Sequence, residues 1–261
     1  MWRIMEFKKI LITNFIKKSL EVYIIDIEFK NEVGKIKINT LASLSQEFAN
    51  GKLFDIEPEL LLLPKPGSLF ELGLGPLTFN DADTKNQLQI GRNFLKIIIK
   101  KYETWGIEYD KIKKIFQLLY PIMEDITIKG FQIACINNFD DIKQEDAFKL
   151  SNYFTHFVES ELDIEYEDFH LGFVPHILKN EEEFEKIILK LRGIPPKASD
   201  FFLFKLESLF FKRNLNVKLS DPKLLREINH GHDFLSYLFV YSLSKSYRDK
   251  IGLTFEIIEE E

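Results

Sequence analysis

The sequence predicts an α+β protein of two lobes, each an antiparallel sheet with helices packed on one face, and three observations carry that prediction. Between Leu77 and Tyr102, short runs rich in β-branched and aromatic residues are separated by polar turns, the pattern of a three-stranded meander. Ile112, Ile115, Phe116 and Leu119 then recur at helical spacing, with Lys111, Lys113 and Lys114 off the stripe. Pro121 closes this helix and Ile126 to Ile136 returns to strand character, the order expected of a helix laid across an antiparallel sheet. The lobes divide at residues 1–140 and 141–261 and share one core.

Taken in order, Leu20 to Phe29 is a strand, Asn31 to Gly34 a turn, and Lys35 to Leu41 its alternating return, together a hairpin. Pro58, Pro64, Pro66 and Gly67 reduce Leu44 to Phe70 to a short helix and loops. Gly73 and Gly75 lack the further glycines and the following helix that a phosphate-cradling loop needs, so they read as a turn. Leu77 to Asn80, Gln87 to Gly91 and Phe94 to Tyr102 are the meander, ended by Trp105 and Gly106.

Further on, Gln144 to Val158 reads as a helix carrying Phe148, Tyr153, Phe154 and Phe157. Leu162 to Phe173 alternates, with Asp163, Glu165 and Glu167 on one face. Such carboxylates suit a solvated strand face, or a divalent cation as the sharper alternative. Glu181 to Arg192 has the marks of a helix: Asn180 as cap with Glu183 three residues on, the stripe Phe184, Ile187, Ile188 and Leu191, and Gly193 with Pro195 and Pro196 to end it. Phe201 to Phe211 is a long aromatic strand, Asp221 and Pro222 open a final helix to about Lys250, and the acidic tail from Glu256 frays.

Composition narrows the function classes. With 261 residues and 45% apolar content the chain can bury a substantial core, and its 25 Phe supply much of it. Residues 1–140 hold 19 basic against 18 acidic side chains, a net of +1, and 141–261 hold 16 against 23, a net of −7. Only the first half suits an anionic partner, and overall acidity argues against a dedicated nucleic-acid binder. Cys135 is the sole cysteine, which excludes an intrachain disulfide and a thiolate cluster and points to the cytoplasm. The first residues lack a signal-peptide pattern and no apolar run is long enough to span a membrane.

The candidate sites are few. His230, Gly231, His232 and Asp233 bring two imidazoles and a carboxylate together, a set that elsewhere holds a metal or orients a general base. Helix geometry opposes this: residues two apart point about 200° from each other, so His230 and His232 share one ion only if Gly231 breaks the helix. His232 is in step with Ile228, Leu235 and Phe239, as a core-facing histidine bonded to a polar neighbour would be. His156, His170 and His176 have no partner at fixed spacing. Arg92 and Asn93 sit at a strand corner, where they suit either the turn or a ligand. Tyr102 and Trp105 close the sheet against the helix, or form a stacking platform if they open beside a basic groove built from Lys96, Lys100, Lys101, Lys111, Lys113 and Lys114. No cofactor is implied.

The succession Gln87 to Leu95, Tyr102-x-x-Trp105, the helix after it, the strand ending Ile136-Asn137, and the closing segment His232 to Phe239 with Ser244 and Arg248-x-x-Ile251-Gly252 resembles a sporadically distributed family of uncharacterised prokaryotic proteins. The resemblance covers roughly Asn86 to Gly252. Ala134 and Cys135 stand where that family has Arg and Tyr, and Leu215-Asn216-Val217 replaces its Asp-containing segment. It implies a shared fold, no chemistry, and a mobile-element or antiviral-defence setting. The expected function is therefore a non-enzymatic binding or adaptor protein that engages a protein partner or a second copy of itself. The alternative is a nucleic-acid binder or enzyme using the first-half lysines with His232 and Asp233.

Overall fold

In the computed structural model, residues 9–15, 20–33, 44, 48, 77–81, 83–143, 152–155, 169–173, 185–194 and 201–258 are described. They form strands β1 (Lys9–Phe15), β2 (Leu20–Phe29), β3 (Leu77–Asn80), β4 (Gln87–Ile90), β5 (Phe94–Ile99), β6 (Thr127–Lys143), β7 (Phe169–Phe173), β8 (Glu185–Ile194), β9 (Phe201–Lys218) and β10 (Leu253–Ile258). The helices are α1 (Trp105–Leu119), α2 (Pro222–Ser242) and α3 (Lys245–Lys250). One sheet has the order β3-β4-β5-β2-β6-β9-β8-β7, antiparallel throughout, and β1 pairs with β10 in a separate ribbon. The class is α+β.

The two halves of the chain meet edge to edge in this sheet. β6 from the first half and β9 from the second pair over most of their lengths, from Thr127 opposite Lys218 to Lys143 opposite Phe201. One core cluster accordingly draws on both, joining Tyr23, Ile25, Ile27, Ile97 and Ile133 to Phe210, Ile228 and Leu235. A second cluster is aromatic: Phe139, Tyr153, Phe154, Phe204, Phe239 and Tyr247 pack around the other ends of β6 and β9. Tyr247 is fixed there by its hydroxyl donating to Asp141 at 2.5 Å.

The meander and the helix after it stand as expected, with Thr104 capping α1 by accepting from the Ile107 N–H. Trp105 opens that helix rather than only ending the strands. β2 is a strand, but its two neighbours are β5 and β6, so both edges are taken by partners other than the expected hairpin return. Lys35 to Leu41 lies outside the described residues, as do Gly73, Gly75, Asp163, Glu165 and Glu167. Leu44 and Phe48 are helical and buried, as a short helix there predicts.

Of the helix expected over Glu181 to Arg192, the part described, from Glu185 on, is a strand. In β8, Glu185, Ile187, Leu189, Leu191 and Gly193 face inward and their neighbours alternate outward. Ile187 and Leu191 satisfy both periods, and lateral pairing with β9 on one side and β7 on the other decides for the sheet. Residues 152–155 form a turn with an isolated bridge from Phe154 to Leu243 instead of part of a helix. The final helix starts where Asp221 and Pro222 place it, the Asp221 side chain accepting from the Lys223 N–H at 2.8 Å. It stops at Ser242, and Ser244 caps the short α3. The tail is held as far as Ile258 because Leu253 to Ile258 pairs with β1.

No helix among the described residues is long and apolar enough to cross a membrane.

Candidate functional site

Two places gather the polar residues singled out in the sequence. The first lies between the N-terminus of α1, the middle of α2 and the central strands. α2 can approach β6 and β9 closely because Gly231 has no side chain: a Cβ there would stand 2.7 Å from Phe210 and 2.9 Å from Ile133. Gly231 thus serves packing and leaves the helix unbroken, so His230 and His232 point to different faces.

His232 is stacked on Trp105, ring centroids 3.9 Å apart and 6° from parallel, with Tyr23 and its neighbour Tyr102 beside them. The Trp105 Nε1–H donates to Asn229 Oδ1 at 2.7 Å, Asn229 Nδ2 donates to Asp233 Oδ2 at 3.1 Å, and Lys9 of β1 pairs with the same carboxylate at 3.4 Å. Tyr102, Trp105, His232 and Asp233, separated by up to 131 residues, are therefore neighbours or one bond removed. His232 Nε2 meets Ser236 Oγ at 3.2 Å, while its Nδ1 is shielded and has no partner among the described residues.

Burial, reinforced by the Lys9 ammonium, pushes the His232 imidazole down to about 3, so the ring is neutral across the ordinary pH range. Burial raises Asp233, opposed mainly by Lys9. A base that weak takes a proton only in strong acid, and Asp233 is bonded to Asn229 and Lys9 rather than to His232. The pair lacks the carboxylate-oriented imidazole of a general base. His230 is on the other face, 4.0 Å from Glu185 Oε2, beside the ion pair of Lys212 with Glu185 at 2.6 Å and with Glu227 at 3.2 Å. Among the described residues no group of three or more His, Cys, Asp and Glu has the geometry to hold a metal ion. Cys135 faces this interior between Tyr23 and Ser208, and burial pushes its thiol up, away from the thiolate that reacts.

The second place is the opposite face of the sheet. Register sets a lateral row of Thr78, Gln89, Lys96, Asp26, Gln132, Phe211 and Lys186 across seven strands, with a row of Phe94, Glu28, Gly130 and Arg213 beside it. A groove of about 360 Å³ lies over these rows, lined also by Asn93. At one end β9 bulges between Arg213 and Val217, where Asn214 and Asn216 take left-handed backbone angles of 60° and 48°. Cross-strand ion pairs neutralise much of this face: Lys96 with Asp26 at 2.9 Å, Lys190 with Glu207 at 3.3 Å, Lys205 with Glu21 at 3.2 Å, and Lys129 with Glu28 at 2.6 Å.

Of the corner residues, Asn93 lines the groove and Arg92 pairs with Glu32 at 3.0 Å. Tyr102 and Trp105 are on the helix-covered face and supply no open platform beside the lysines. Asp26, Gln132, Phe211 and Arg213 escaped the sequence reading. Their signal was present in the polar residues alternating with Ile25 and Ile27, and with Phe131 and Ile133, but the pairing that unites them spans nearly 190 residues.

No protein-family model matches the chain, and no curated protein matches it.

Proposed function

We propose that the chain is a binding protein that engages a segment of a protein partner through the open face of its sheet. The groove over Asp26, Lys96, Gln132 and Phe211 carries this reading. Its volume is within the range of ligand-binding clefts, roughly 300–1,000 Å³. Its walls combine two Phe rings with the amides of Asn93 and Gln132, which suit a peptide's apolar side chains and backbone groups. Asp26 and Glu28 balance Lys96 and Arg213, so the groove offers a peptide charges of both signs and a phosphate backbone little net attraction. The resemblance to sporadically distributed prokaryotic proteins adds to the proposal a setting in antiviral defence or a mobile element, and the single cysteine adds the cytoplasm.

A photo-crosslinking side chain at Gln132 tests this in the native host. A discrete protein adduct is expected there and not from the same group at Lys114 on α1. Equal adducts at both positions, or none, would overturn it. Lys186, Lys190 and Arg192 line β8 on the same face, and they favour a second reading in which the face binds single-stranded nucleic acid. Salt-sensitive binding of RNA or DNA at about 50 mM salt, lost on charge reversal of Lys186 and Lys190, would replace the first reading with the second.

A further inference from the structure

We propose that the interior beneath α2 holds ordered water bonded to the hydroxyls of Tyr23 and Ser208, a hydrated seam within the core. Each residue is 1% exposed, and neither hydroxyl has a hydrogen-bond partner among the described residues. They belong to one lateral row. Tyr23 on β2 is opposite Cys135 on β6, which is opposite Ser208 on β9, so all three project to the side that α2 covers. His232 brings a third unpartnered polar atom, Nδ1, to the same region, its ring 5.8 Å from that of Tyr23.

Three shielded polar atoms without partners on the same side of the sheet are costly to leave dry, and a buried water is the small ligand that bonds such groups. Phe and Ala would fill the positions of Tyr23 and Ser208 at no such cost, and Ile25, Ile133 and Phe210 fill the adjoining row in that way. Water is the ligand whose size and paired donor and acceptor capacity fit hydroxyls and a neutral imidazole together. The seam is on the face opposite the groove and is independent of the binding reading.

Two measurements test it. Magnetic relaxation dispersion of water in solutions of the unmodified protein is expected to show long-lived internal water, and the number is expected to fall in Tyr23→Phe. Thermal melts of Tyr23→Phe and Ser208→Ala are expected to drop by about 2–4 °C each, because each variant removes a bonded hydroxyl. Hydroxyls buried without water predict the opposite sign: melting points unchanged or raised, with the same number of long-lived waters in Tyr23→Phe as in the unmodified protein. Either result would overturn the proposal.

Discussion

The two faces of the eight-stranded sheet use similar polar residues to opposite ends. On the face covered by α2, Tyr23, Ser208 and Lys212 are enclosed and the half-buried His232 has its Nδ1 shielded, so each of these polar atoms must find a partner or carry the cost of desolvation. On the open face, Asp26, Lys96, Glu207 and Lys190 form cross-strand pairs that water still reaches. Polarity on the covered face therefore governs stability and protonation, and polarity on the open face stays in contact with solvent. A histidine prominent in the sequence proves to be held neutral by its surroundings, while an unremarkable Gln132 lies in the groove.

Substitutions can break or sharpen this contrast. The largest effect is expected at Lys212, 4% exposed at its side chain and paired with Glu185 and Glu227. Lys212→Ala leaves the buried Glu185 and the half-buried Glu227 without their cation and should cost about 3–5 kcal/mol in denaturant unfolding. Gly231→Val comes next: the added carbons meet Phe210 and Ile133, and a loss of about 1–3 kcal/mol is expected in the same assay.

The third expectation concerns pH. His232 titrates near 3 when folded and near 6.5 when free, so between those values the unfolded chain binds the extra proton and stability rises with pH. The contribution is fully present above 6.5 and is lost as pH falls toward 3. Its slope is at most about 1.4 kcal/mol per pH unit for one proton. Comparing melts of the protein and His232→Phe between pH 4 and 7.5 isolates it, and equal pH dependence of the two would contradict the burial of the ring. The smallest effect belongs to the open face. Lys96→Ala should change stability by less than about 1 kcal/mol, and the change should fade in high salt. A large, salt-independent loss would erase the distinction between the faces.

Much of the fold was legible locally. The meander, α1 and the N-terminus of α2 announce themselves through periodicity, turn residues and caps whose partners are within a few positions. β8 was not legible, because Ile187, Ile188 and Leu191 fit a helix as well as a strand until β9 and β7 take its two edges. The tail likewise reads as frayed until β1, more than 240 residues earlier, pairs with it.

For the sites, the sequence by itself determined that His230 and His232 cannot face the same way on an intact helix and that one cysteine permits no intrachain disulfide. These follow from backbone geometry and from counting. Only the tertiary structure decided that Trp105 stacks on His232 and bonds Asn229, and that Gln132 shares a row with Asp26 and Phe211. Those contacts join residues 127, 124, 106 and 79 positions apart. The register that creates them is set by pairing of whole strands, which no single stretch of sequence encodes.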